Sequence, residues 1–304
     1  MSLIAAALIV VSAFMHAGWN FVSKRQNPSL AYFFITAVSA SLLVSPILIW
    51  HRLVLPLIPF SVWVLVIGTG LSQMIYFIGL GTAYRHGDIS LAYPLARALP
   101  VLMVAGISFL LGNGRAISQL SLTGMVLITV GCIMLPLPHF KKVKLREYVD
   151  IVYLMALLAA VGTTGYTILD DQALRQLRNI TALPLSSSEI TLLFIPLQTG
   201  STAVMLGLAT LLNPVERRQL RPMLKNRPLV VSAVFTGIAI MSTYGLVLAA
   251  MAYVTDVSYV AAFRQLSIPI GAVLGLTLQQ EPRYRPKLLG IGIVSIGLVL
   301  VGVG

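Results

Sequence analysis

Ten times along this chain of 304 residues an apolar stretch runs on for about 20 positions, the length an α-helix needs to cross a bilayer. The windows fall at 3–22, 31–50, 61–83, 89–111, 120–137, 149–169, 188–212, 229–252, 257–278 and 288–303, with turn-forming or basic residues between them. Inside hydrocarbon every backbone N–H and C=O must find a partner within the protein, which leaves helical bundles and closed barrels. Spans of this length select the bundle. The expected fold is therefore an all-α integral membrane protein of ten transmembrane helices. Composition agrees: 58% of the residues are hydrophobic, 10% are charged and the mean hydropathy is +0.92. The run from Leu3 reads as a first span, since no basic stretch precedes it and no small-residue cleavage site follows.

The net charge of +12 sits in short loops between spans, where the positive-inside bias puts it, and argues against a nucleic-acid partner. Of 21 lysines and arginines, 15 fall in the odd-numbered loops and 4 in the even ones. This places the odd loops in the cytoplasm and both termini outside the inner (plasma) membrane. The remaining two, Arg97 and Arg264, lie within spans. At about 1.5 Å per residue from Asp88, Arg97 reaches roughly 13 Å into a hydrocarbon core about 30 Å thick. Arg264 repeats that placement eight residues past Asp256, and Pro269 follows it as Pro100 follows Arg97. A charge at that depth costs about 2.5 to 3.5 kcal/mol on insertion scales and is expected to face the bundle interior. No carboxylate is expected at similar depth, because Asp170 and Asp171 fall just past the sixth window.

The two halves of the chain match piece by piece. HAGWNFVSKR from His16 corresponds to TTGYTILDDQ from Thr163, the Tyr76 span to the Tyr244 span, and Gly124 and Gly131 to Gly290 and Gly297. The expected division is 1–138 and 149–304, five spans each, joined by the basic linker 139–148. Because five is odd, the repeats must be inverted, as in many secondary transporters, whose sites lie at the midplane between the halves.

This organisation resembles the drug/metabolite transporter superfamily, EamA-type. LGLTLQQEPRYRPKLLGIGIVSIGLVLV, with Glu281, is similar to that family's glutamate-then-glycine signature; LLGNGRAISQLSLTG in the first half lacks the glutamate. HAGWN is similar to a subset of such permeases placed near phosphonate catabolism. The resemblance implies a ten-helix permease. It also implies a contrast with small multidrug members, which use a glutamate in their first span, where this chain has no acid.

Polar residues recur at helical spacing on several spans. Ser12, His16 and Asn20 follow at i, i+4, with Trp19 beside them, and Thr69, Gln73 and Tyr76 form a second stripe. Tyr93 stands one turn before Arg97, Gln265 beside Arg264, and Tyr244 on the eighth span. Asp88 and Asp256 read as helix caps, Pro94, Pro100 and Pro269 as breaks in hydrogen bonding, and Gly271 with Gly275 as a packing patch. The expected substrate is a small anionic or zwitterionic metabolite such as an amino acid, organic acid or phosphonate. Arg97 and Arg264 would hold its acidic group, since arginine's planar fork suits carboxylate and phosphate. Tyr93, Gln73, His16 and Asn20 would shape the pocket, and Trp19 and Tyr76 would stack on the apolar part. His16 is the candidate for proton coupling, as the deep group that ordinarily titrates near neutrality. A cationic-drug exporter of the same fold is the alternative. An intramembrane enzyme is disfavoured, because His16, His51, His86 and His139 lie in separate spans or loops and no H-E-x-x-H occurs. Cys132, the one cysteine, reads as a packing residue. No cofactor or metal is implied, and the assembly is expected to be a monomer or homodimer.

Overall fold

The computed structural model describes residues 2–23, 29–86, 89–112, 117–135, 137, 151–181, 183–278 and 284–304, without the side chains of 19–23, 84, 89–95, 275 and 278. Twelve α-helices make up the described residues, with no strand among them: α1 (Leu3–Ser23), α2 (Leu30–Trp50), α3 (Phe60–His86), α4 (Ile89–Leu110), α5 (Gln119–Met134), α6 (Ile151–Arg178), α7 (Ser187–Leu212), α8 (Pro214–Lys225), α9 (Arg227–Ala250), α10 (Val257–Phe263), α11 (Ser267–Leu278) and α12 (Arg285–Val303). Seven of the described helical stretches are long and apolar enough to cross a membrane; 3–18, 96–110 and 119–134 are shorter apolar helices. This is the make-up of a multi-pass membrane protein. The linker 139–148, Asp88 and Glu281 lie outside the described residues.

Helix starts follow from capping chemistry, which supplies acceptors for amides that the helix leaves orphaned. Ser29 Oγ accepts from Tyr32 N at the start of α2, and Ser118 Oγ from Ser121 N at the start of α5. Ser186 and Glu189 form a reciprocal capping box on α7. Asn213 and Asn226 cap α8 and α9.

Three segments depart from the sequence reading. The basic stretch between the windows 188–212 and 229–252, expected to be a loop, is mostly the helix α8, a 12-residue amphipathic element too short and too charged to register as a span. The ninth window, read as one helix, is two: α10 and α11 are separated by a 3-10 turn, Arg264–Leu266. Pro269 has no N–H for the carbonyl of Gln265, so the regular ladder fails at this point. By contrast, α4 runs unbroken through Pro94 and Pro100. The sixth helix extends to Arg178, so Asp170 and Asp171 lie inside it rather than past its end.

Packing runs α3 on α6, α5 on α12, α2 on α7 and α1 on α9, with α4 against α6 and α2 against α9. Glycine permits the closest of these approaches. A Cβ on Gly124 would lie 2.6 Å from the Gly297 carbonyl oxygen, and one on Gly131 2.8 Å from that of Gly290. The four glycines at matching spacing in the two halves thus meet pairwise across α5 and α12. Gly271 faces open space, so it is not part of a packing patch. Cys132 is buried in the cluster between α5 and α12.

The largest apolar cluster fills one end of the bundle, where α1, α3, α7 and α10 begin and α6 and α9 finish. Ile9, Val62, Leu177, Phe194 and Val247 are among its members.

Candidate functional site

Beyond that apolar cluster lies a cavity that opens through a mouth. His16, Gln73, Tyr76, Arg97, Tyr244 and Arg264 all line it, contributed by α1, α3, α4, α9 and the turn after α10. Gln265 does not. It is buried on the other side of the turn, where its Nε2 donates to the Ala261 carbonyl at 2.9 Å. The side chains of Trp19, Asn20 and Tyr93 lie outside the described residues.

The two arginines occupy different situations. Arg97 is 5% exposed, and its Nη2 donates to the Arg264 carbonyl oxygen at 2.9 Å and to Ser267 Oγ at 3.0 Å. Its guanidinium therefore reaches the carbonyl end of α10 where the helix breaks. Cationic charge is favourable there, at the negative end of the helix dipole. Arg264 is half-buried and faces aromatic rings. Its Nη2 donates to the Tyr166 hydroxyl at 3.2 Å, and its Cζ lies 5.7 Å from the Tyr166 ring centroid and 5.2 Å from that of Tyr244. A guanidinium has five N–H donors, and among the described residues only this one of Arg264's is engaged.

Behind the rings sits an acid that contradicts the expectation of an uncompensated cavity. Asp170 is 0% exposed; its Oδ1 accepts from Thr69 Oγ1 at 2.6 Å and its Oδ2 from the Tyr244 hydroxyl at 2.5 Å. One residue thus ties α6 to α3 and α9, and connects through the Tyr244 ring to Arg264. Thr69 belongs to this bond rather than to the cavity wall. Asp171 instead pairs with Arg175 at 2.8 Å, one turn along. Asp256 caps α10 through Ser258 N at 2.8 Å and accepts from Ser108 Oγ on α4 at 3.1 Å.

The aromatic wall continues beyond Arg264. Tyr244 meets Tyr166 edge-on at 5.4 Å, Tyr166 meets Tyr76 at 6.0 Å, and Phe77 lies 4.9 Å from Tyr76 and 4.5 Å from Phe33. Opposite polar groups include Gln198, Thr199 and Thr202 of α7 and Thr36 of α2. Ser12, also in the lining, donates to the Thr243 carbonyl at 2.8 Å and so joins α1 to α9. Reading the sequence for charges passed over Tyr166 and the α7 triplet. The signal for the triplet was the polar run LQTGST inside the seventh window, and for Tyr166 its place in TTGYTILDDQ, opposite HAGWNFVSKR. Among the described residues no three His, Cys, Asp or Glu side chains gather as metal ligands would.

No family model matches the sequence, and no curated protein matches it either. Among solved structures the chain is similar to a protein described only as "Crystal structure of protein", at 15% identity and a TM-score of 0.66, over 98% of this chain and 96% of that one. The helical fold as a whole, end to end, is thus one already seen in another chain.

Proposed function

We propose that this chain is a secondary transporter of a small anionic or zwitterionic metabolite, an amino acid, organic acid or phosphonate, working by alternating access without covalent chemistry. The observation that carries this reading is Arg264. It faces the cavity, its charge partly compensated by tyrosine rings, with most of its donors uncommitted to protein. An incoming carboxylate or phosphonate matches that fork. A cationic substrate would meet ring faces of Tyr166 and Tyr244 already covered by Arg264.

The proposal includes ten spans in two inverted halves, and the packing supports it. If α1, α2, α3, α10 with α11, and α12 are taken against α6, α7, α9, α4 and α5, the pairings interchange. The contact of α3 with α6 becomes that of α9 with α1, α3 with α7 becomes α9 with α2, and α4 with α6 becomes α11 with α1. The pairs α2 with α7 and α5 with α12 map onto themselves. The EamA-type resemblance and the cytoplasmic placement of the odd loops belong to the same proposal.

The test is a thermal-shift panel on detergent-purified protein with amino acids, dicarboxylates, phosphonates and lipophilic cations. We expect an anion or zwitterion to raise the unfolding midpoint of the wild type and to lose its effect in Arg264→Gln. Stabilisation by cations alone, retained in that variant, would sink the reading.

A further inference from the structure

Helix α8 joins α7 to α9 with a single residue at each end, Asn213 and Asn226, so it is held at the membrane interface wherever its neighbours leave the bilayer. Its inward face is set at i, i+4, i+7. Glu216 is 1% exposed, and Leu220 and Met223 pack against the cluster around Tyr32 and Phe33 at the start of α2. Glu216 Oε2 accepts from the Ala31 amide in the first turn of α2 at 3.0 Å, and Oε1 pairs with Arg85 near the end of α3 at 2.7 Å. The one acid of α8 is thereby consumed inside the fold.

On the opposite face Arg217, Arg221 and Lys225 follow at i, i+4, i+8, with Arg218 beside them. All four are exposed, as is Arg227 at the start of α9, and none makes an ion pair among the described residues. Exposed apolar residues flank this stripe: Leu212 at 80%, Val215 at 60% and Leu224 at 55%. A basic face bordered by apolar side chains, at the level where two spans meet the headgroups, is the pattern of an interfacial helix.

We propose that α8 is a binding site for anionic phospholipid headgroups, with Arg217, Arg218, Arg221 and Lys225 as the phosphate contacts. The charge bias of the loops places this end at the cytoplasmic leaflet, whose surface potential is negative. Because Glu216 anchors the helix to α2 and α3, lipid charge acts on two helices that line the cavity.

The experiment titrates the full-length protein in neutral detergent with phosphatidylglycerol or phosphatidylcholine and reads the unfolding midpoint, at low and high salt. We expect phosphatidylglycerol to stabilise the wild type more than phosphatidylcholine does, and salt to shrink the difference. Substituting the four cations by Gln should remove at least half of that difference while leaving the midpoint in phosphatidylcholine unchanged, since the side chains are exposed. Arg221→Gln alone provides a milder version with a proportionate loss. Equal stabilisation by the two lipids, or a full difference kept in both variants, overturns the proposal. The readout needs no substrate, so it stands apart from the transport assignment.

Discussion

At Arg264 the guanidinium is flanked by two tyrosine rings and, among the described residues, donates once to protein, to the Tyr166 hydroxyl, whereas Arg97 donates twice to the turn that carries Arg264. The two cations look alike in the sequence, at matching depth, and both line the cavity, but they differ in how far the turn engages their donors. Arg264→Lys keeps the charge and loses the fork. It should weaken binding of a stabilising anion roughly 10- to 100-fold, the loss of a charge-assisted hydrogen bond or two, as read by isothermal titration. Arg97→Lys should act on the fold first, lowering the unfolding midpoint even without ligand, because the lysine ammonium ends one bond short of the Nη2 that makes both contacts to the turn. Asp170 shows what could not be read in advance. Its helix was expected to end before it, and nothing local says that a threonine 101 positions earlier and a tyrosine 74 positions later will converge on its carboxylate. Asp170→Ala strands two buried hydroxyls and should cost about 1 to 3 kcal/mol for each donor left unmatched. Asp170→Asn retains an acceptor and should fall well short of that in chemical denaturation. Equal losses in the two variants would show that the hydrogen bonds are not what the acid contributes.

Among the elements, the α5 and α12 pair was the most legible. Glycines seven apart in each half marked the two helices as counterparts, and the structure shows that they pack on each other, Gly124 against Gly297 and Gly131 against Gly290. Gly297→Val places branched carbon where a carbonyl already stands 2.6 Å from the first added atom, so the helices must separate. A loss of about 1 to 3 kcal/mol is expected, with Gly292→Ala, which faces open space, as the neutral control. Two elements were hidden for different reasons. The amphipathic α8 has a period that a search for uniformly apolar windows averages away. The break between α10 and α11 sits in an unbroken apolar run, where proline marks a weakened ladder without saying whether it kinks, as α4 shows by continuing through two prolines. Glu216→Gln, which keeps an acceptor for Ala31 but loses the charge facing Arg85, should loosen α8. Faster proteolysis between α7 and α9 with little change in the global midpoint is the expected result, and unchanged proteolysis would mean the apolar residues Leu220 and Met223 hold the helix alone.

The whole molecule is asymmetric between its two ends. Apolar side chains from α1, α3, α6, α7, α9 and α10 close one end, Ile9 and Val62 among them with no exposure at all. The cavity extends from there past Arg264 and Thr36 to Phe33 near the start of α2. The sequence made the all-helical, multi-pass character and the order of the long apolar segments legible, because hydrocarbon thickness fixes their length; it left out how they pair, because inside a bilayer nearly every face is apolar and pattern no longer distinguishes core from surface. Alternating access requires the sealed end to open when the other closes. Interdigitated apolar side chains can do that by separating as a layer, whereas a pore would leave a continuous wet path. With Cys132 replaced by Ala, cysteines introduced at Ala37, in the cavity lining, and at Ile9, in the seal, report on opposite ends. A membrane-impermeant thiol reagent should label Ala37→Cys from the α8 side and leave Ile9→Cys unreacted. An anion that stabilises the protein should then change the two rates in opposite directions, since one population is drawn from the other. If both sites react at the same time, or both respond to the anion in the same sense, the bundle is breathing or conducting rather than alternating, and the cavity is not one station of a transport cycle.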